Sequence, residues 1–583
     1  MSIIITVDKS QSDLSAGKNS ILKNINGVNG IPVSLAPGFP DLEDQFNQMG
    51  ITDIRLHDGL GIGDLDNYFS EKRINNINQL IQNVPDYERR TAKKFLADLG
   101  NHRVIFPNAA AGMRSNDVDL AFKDANYTMT DAYIRRILNN NPGLNPQNLE
   151  RQLMFRIGRT LDGGCEVPQN ADIYAILVST LVDRYCLNYD KTGLPRKVKY
   201  WEIWNEPDLT FFWNSNNPQV YYDFYGKLAR MIKAVDPEAK VGGAGVAFGY
   251  NPGGYYIDGL LKYCHETGTP IDFISWHCYG NGTGDPKNII DVARSIESAL
   301  NKYGFPDIES ICTEWNSSPT GTMNTYTKVQ SAKNAAYIAS TFCYMQKCKV
   351  DKSYYYRGDG LSFGLFNDNP NPVDKRYKSF CTYSSQAFNL FSKMRETPVI
   401  LKTNGAEDTG ISMLACKSWD EKKLKILISN YKVDKDFTDG GVPPSGHDIY
   451  KQYYIDSNRS LKQLTDQWSL DEWFGGKNPN LIRPDNFVEQ QAQLANPPVN
   501  GHLSAHERNY YHSDSGLITV VDNIAANNVN IAVKRIQEGK SLSSFDIKNT
   551  NYEINYILKN GQLIISDQNC TESTVTLYEI ELN

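Results

Sequence analysis

The chain lacks the features that direct a protein to a membrane, to a nucleic acid or into a disulfide framework. No stretch is apolar for long enough to span a bilayer. The opening Met1-Ser2-Ile3-Ile4-Ile5-Thr6-Val7-Asp8 has neither the basic start nor the apolar length of a secretory leader. That favours the cytoplasm, or secretion of a chain whose leader has been removed. No lysine or arginine run approaches a phosphate-tracking patch, and a formal net charge of −7 argues against nucleic acid or an anionic membrane as partner. The ten cysteines show no repeated short spacing, and Cys264, Cys278, Cys312 and Cys343 lie in apolar runs, so they read as buried thiols. His502, His506 and His512 come without cysteines or a His-Glu-x-x-His pattern, and Asp434, Asp436 and Asp439 read as a solvated turn, so neither metal nor cofactor is expected. Internal repeats and low-complexity linkers are also missing. None of this sets an oligomeric state.

What is present is length and tyrosine. A chain of 583 residues calls for a large domain plus a smaller one, and 34 tyrosines suit either cores or surfaces on which sugar rings stack. From about residue 30 to 396, short strand-like runs alternate with longer helical patterns: 31–36, 53–57, 154–158, 200–204, 240–244, 272–276, 310–313 and 353–356. Eight such units predict an α/β fold, a (β/α)8 TIM barrel with its chemistry at the carboxyl ends of the strands. An excursion at about 70–125, after the second strand, falls on that face. Beyond Lys393 the texture changes to short alternating strands, which predicts a β-sandwich over 397–583 with an insertion at about 440–510. The strand within residues 1–29, Ile3 to Val7, is expected to pack on that sandwich.

Two motifs carry chemistry. In Trp201-Glu202-Ile203-Trp204-Asn205-Glu206-Pro207 and in Ile311-Cys312-Thr313-Glu314-Trp315-Asn316, an apolar run of strand length ends in a glutamate. A pair of carboxyls at a barrel mouth is what cleavage of a glycosidic bond needs: one protonates the leaving oxygen, the other attacks the sugar carbon. Glu206, at the end of its strand and before a proline, suits the general acid. Glu314 suits the nucleophile. A separation near 5–5.5 Å would give retention of configuration through a covalent intermediate, and a wider one inversion.

These runs, together with Phe212-Trp213, Val235-Asp236-Pro237, Val241-Gly242-Gly243, 272–279 (Asp-Phe-Ile-Ser-Trp-His-Cys-Tyr) and 334–339 (Asn-Ala-Ala-Tyr-Ile-Ala), resemble glycoside hydrolase family 39, which holds β-xylosidases, α-L-iduronidases and exopolysaccharide endoglycosidases. The resemblance covers about 30–396, and 575–581 looks like that family's last sandwich strand. It implies a retaining hydrolase of a β-type (or equatorial) bond in an oligo- or polysaccharide, with Glu206 as acid/base and Glu314 as nucleophile. It also implies that Asn205 bonds the hydroxyl beside the reacting carbon, and that His57, His277 and Tyr279 line the sugar site. Where the family presents a tryptophan on the eighth strand, this chain has Tyr356 followed by Arg357. The tyrosine can still stack, and Arg357 offers a partner for a sugar carboxylate or for Asp359. A carbohydrate is the expected partner. A non-catalytic carbohydrate-binding protein on the same fold and a transglycosylase are the alternatives.

Overall fold

The computed structural model describes residues 3–32, 42–57, 128–140, 149–158, 167–168, 171–210, 212–247, 255–279, 285–317, 329–359, 363–366, 381–406, 409–432, 516–539 and 554–583. The excursion at 70–125 and the insertion at 440–510 lie outside them.

The first strand, β1 (Ile3–Ser12), leaves its chain neighbours and joins the carboxyl-terminal sheet, parallel to one strand and antiparallel to another. The next eight close a parallel barrel in chain order: β2 (Gly27–Asn29), β3 (Asp53–Leu56), β4 (Gln152–Ile157), β5 (Tyr200–Ile203), β6 (Lys240–Val246), β7 (Phe273–Tyr279), β8 (Glu309–Asn316) and β9 (Lys352–Tyr355). The barrel thus begins at Gly27, inside the segment assigned from sequence to the N-terminal strand; the apolar run from Ile31, read as the first strand, comes after it. Glycine is required at position 27 because a side chain there would meet the Ser353 carbonyl at 2.5 Å, which is why this strand lacks an apolar signature.

Helices fill the connections: α1 (Glu43–Gln48), α2 (Thr128–Leu138), α3 (Ala171–Val182), α4 (Pro218–Val235), α5 (Tyr255–Thr267), α6 (Asn288–Lys302), α7 (Ala332–Met345) and α8 (Tyr383–Lys393). In α4 the Asn217 side chain accepts from the Gln219 amide at 3.1 Å, Pro218 takes the first turn, and Tyr221, Phe224, Leu228 and Ile232 form the buried stripe. None of the described helices is long and apolar enough to cross a membrane.

Strand periodicity sorts the barrel interior into layers. Met154, Tyr200, Phe273, Ile311 and Tyr354 pack together as an apolar floor. Two residues further along their strands, the same face presents Arg156 and Glu202, with Arg55 bonded to Glu202, all buried. A charged layer on an apolar floor is the platform for what stands above it.

The second body is a nine-stranded, mostly antiparallel sheet. It contains β1, β10 (Val399–Asn404), β11 (Ile411–Lys417), β12 (Lys423–Asn430), β13 (Leu517–Asp522), β14 (Val529–Ile536), β15 (Asn555–Lys559), β16 (Gln562–Asp567) and β17 (Thr574–Leu582). Strand β10 belongs to both halves: Val399 and Ile400 pair with β11, while Leu401 to Asn404 pair with β1. The sheet folds over there, and side chains of both halves meet in one core that includes Ile5, Val7, Met413, Ile426, Val521, Ile565 and Tyr578. This is the expected sandwich, with the expected amino-terminal strand in it.

Candidate active site

The side chains at the barrel mouth are placed by departures from regular strand geometry. Ile311 and Glu314 both face inside, although three residues apart on one strand should lie on opposite faces. The register against β7 steps at Thr313, Trp276 pairing with Cys312 and His277 with Glu314. A bulge therefore turns Glu314 inward, and Glu314 stands within β8 rather than at its end, as the apolar run had implied. At β5, Trp204 and Glu206 adopt left-handed φ of 74° and 46°, each costing about 1–3 kcal/mol. The Trp204 ring is anchored edge-on to Trp213 at 4.8 Å, and the Glu206 amide donates to the Gly245 carbonyl at 2.8 Å. These ties hold the turn that lifts Asn205 and Glu206 over the mouth.

The two carboxyls converge. One oxygen each of Glu206 and Glu314 and a ring nitrogen of His277 all lie within 4.8 Å of one another, and all three side chains are buried. His277 Nδ1 lies 2.7 Å from Glu206 Oε1 and 3.6 Å from Glu314 Oε2. Tyr279 donates to Glu314 Oε2 at 2.6 Å, and burial beside Glu314 pushes its phenol well above the usual range, so it remains a donor. His57 Nε2 stands 3.5 Å from Glu314 Oε1. Burial, reinforced by Arg156, Arg55 and Arg357, holds His57 well below its ordinary 6.5, and the ring is neutral. Arg156 donates to His57 Nδ1 at 3.0 Å, so the ring hydrogen sits on Nε2 and points at Glu314.

Beneath them Arg55 is the hub. It donates to Glu202 Oε2 at 2.5 Å, Glu314 Oε1 at 2.7 Å, Asn205 Oδ1 at 2.8 Å and Asn29 Oδ1 at 3.1 Å. The guanidinium thus leaves Asn205 with its carbonyl committed and its amide nitrogen without a partner among the described residues. Motif reasoning passed over Arg55, Arg156 and Glu202. The available signal was a charge in an otherwise apolar barrel strand, in Ile54-Arg55-Leu56, Phe155-Arg156-Ile157 and Trp201-Glu202-Ile203, where only a paired charge survives burial.

Tyr356 completes the rim, its ring 5.9 Å from His57 and 6.5 Å from Tyr279. Arg357 is buried and paired through Nε and Nη2 with both carboxylate oxygens of Asp359. Of the two partners that sequence left open for it, Asp359 is the one it holds. Glu206, His277 and Glu314 could in principle hold a cation, but Arg55 already occupies Glu314 Oε1 and Tyr279 its Oε2. The group is better fitted to moving protons.

Parallel barrel, sandwich and paired carboxyls at the barrel mouth together have the layout of the two-carboxylate glycoside hydrolases. The model of glycosyl hydrolases family 39 matches residues 100–360 of the chain. The chain is 29% identical over 221 residues to a beta-xylosidase of Geobacillus stearothermophilus, covering 33% of this chain and 42% of that one. It is 26% identical over 302 residues to a beta-xylosidase of Caldicellulosiruptor saccharolyticus, covering 46% and 56%. The chain thus spans about half the length of these curated relatives. In fold it is similar to a glucosidase from Croceicoccus marinus, with a TM-score of 0.64, 20% identity and full coverage of both chains.

Proposed function

We propose that the protein is a retaining glycosidase that cleaves a β-linked sugar by double displacement, with Glu206 as acid/base and Glu314 as nucleophile. The observation that carries this reading is the convergence of the two carboxyls, one oxygen of each lying within 4.8 Å of the other, which favours the narrow spacing of about 5–5.5 Å between carboxyl groups that covalent catalysis uses over the wider one of inversion. Glu314 attacks the anomeric carbon as Glu206 gives its proton to the departing oxygen, leaving a sugar ester on Glu314. Glu206 then takes a proton from water, the resulting hydroxide attacks the same carbon, and Glu314 leaves as carboxylate. Donors from Arg55, Tyr279 and His57 surround Glu314 and favour its charged form, which a nucleophile needs. Asn205, whose amide nitrogen has no partner among the described residues, binds the hydroxyl beside the reacting carbon, and His57, His277, Tyr279 and Tyr356 frame the sugar. The substrate is a neutral sugar of the β-xyloside kind: two curated relatives carry the name beta-xylosidase, and the cation at position 357 is neutralised by Asp359. In this reading the barrel is the catalytic unit, and the sandwich with its amino-terminal strand supports it.

The test is Glu314→Ala on a panel of aryl β-glycosides beginning with the xyloside. Turnover should fall by on the order of 10⁴-fold, as when a member of a catalytic unit is removed. Azide should restore it, with formation of an azide of inverted configuration. Hydrolysis at the parent rate would refute the assignment.

A further inference from the structure

This inference builds on the role proposed above for Glu206 and concerns the layer beneath it. Two buried polar atoms there, Glu202 Oε1 and His277 Nε2, have no hydrogen-bond partner among the described residues. His277 Nδ1 faces two carboxyl oxygens, at 2.7 and 3.6 Å, so the ring hydrogen belongs on Nδ1. Burial, with Arg55 and His57 nearby, holds the ring well below its ordinary pKa and neutral, which leaves Nε2 a bare acceptor. Glu202 Oε2 takes the Arg55 hydrogen, and Oε1 is a second bare acceptor. Both face one notch: a side chain on Gly245 would begin 3.1 Å from Glu202 Oε1 and 3.4 Å from His277 Nε2. The notch exists because Gly245 forms a bulge in β6 at φ 59°, where its amide is bound by Ser275 Oγ at 2.8 Å and its carbonyl by the Glu206 amide. Two acceptors cannot bond each other, and a buried acceptor left bare is destabilising. A small molecule able to donate twice removes both penalties.

We propose that a water molecule held above Gly245 donates one hydrogen to His277 Nε2 and the other to Glu202 Oε1, which makes Glu202 a positioning residue for Glu206 acting through His277. The bridge keeps the ring hydrogen on Nδ1 in both halves of the reaction. Glu206 Oε1 accepts that hydrogen while the other oxygen carries the acid proton, and it goes on accepting when Glu206 is a carboxylate. Without the water, the tautomer with its hydrogen on Nε2 and aimed at Glu202 becomes favoured. A bare Nδ1 then faces the Glu206 carboxylate at 2.7 Å and hinders the base step.

Gly245→Ala fills the notch with a methyl, and Gly245→Ser carries the same backbone strain but adds a hydroxyl that can donate. The probe is 2,4-dinitrophenyl β-xyloside, whose leaving group departs without acid help, so that the base step limits turnover. Gly245→Ala should be about tenfold slower, a part of the roughly 10²–10⁴-fold that a positioned proton-transfer group supplies. Azide should restore its rate with retention of configuration, Gly245→Ser should recover part of the loss, and the parent protein should ignore azide. An azide-insensitive loss, equal loss in both variants, or no loss overturns the proposal. A high-resolution crystal structure of the unaltered protein tests it whether or not the variants fold: a water within hydrogen-bond reach of both atoms supports it, and its absence sinks it. Failure of the parent protein on every glycoside would instead bring down the role of Glu206 and leave the water standing.

Discussion

Arg55 decides more of the site than either glutamate does. With no exposure to solvent it bonds the proposed nucleophile, the asparagine beside the proposed acid, and Glu202. A buried charge that loses its partner costs about 3–5 kcal/mol, so such a hub tolerates no simple substitution. The neutral histidines bring a dependence on pH. His57 and His277 are held below the 6.5 they regain on unfolding, so their contribution is fully present above pH 6.5 and is lost as pH falls below it, by about 1.4 kcal/mol per pH unit for each. His57→Asn should reduce the slope of unfolding free energy against pH between about pH 6 and 5 by that amount. Denaturant titrations at several pH values measure it, and an unchanged slope would show that His57 is not buried in its neutral form. His57 and His277 were legible as strand-end residues. The arginines that set their tautomer and charge were not, because a motif names the residues that meet a ligand and not those that meet each other.

At the level of the element, β8 shows how a strand carries both site and core. Its bulge sends Glu314 inward and Trp315 outward, where the indole lies 5.4 Å from Phe342 on α7 and 4.9 Å from Tyr355 on β9, with its Nε1 donating to Ser353 Oγ at 3.2 Å. Trp315→Ala should cost about 3–5 kcal/mol in stability. Because the neighbouring Glu314 then loses its backing, turnover should fall further than the folded fraction does. Thermal unfolding and turnover measured on the same preparation separate the two effects, and equal falls would deny the coupling. Apart from the first barrel strand, the barrel-strand and helix positions followed from apolar periodicity, as Tyr221, Phe224, Leu228 and Ile232 of α4 show. The bulges at Thr313 and Gly245 did not, because a one-residue slip in register depends on the neighbouring strands.

Across the whole molecule, the sandwich and the barrel share a helix. Strands β11, β12 and β17 bury both faces: Met413, Ile426 and Tyr578 point into the sandwich, whereas Leu414, Leu427 and Leu577 belong to the barrel's core cluster. Ser429 Oγ donates to the Ala336 carbonyl at 2.7 Å, Tyr337 meets Tyr431 at 5.7 Å, and Glu538 accepts from the amide of Ala332 at the start of α7. A fragment of residues 24–396, without β1 and the sandwich, would expose this face of α7. It should therefore aggregate or remain partly unfolded rather than yield a monomeric barrel. Gel filtration and near-ultraviolet circular dichroism test this, and a monomer with parent-like turnover would contradict it.

The amino-acid sequence by itself determined the alternation of strands and helices, the change to a β-rich texture near Lys393, and the two glutamate motifs. Each of these is written in local periodicity or in adjacent residues. Only the tertiary structure decided that an oxygen of Glu206 and one of Glu314 lie within 4.8 Å of one another, that Arg55 ties Glu314 to Asn205 from a third strand, and that Arg357 holds Asp359. Those facts depend on barrel closure and on the register of strands far apart in the chain, where burial makes every charge find a partner.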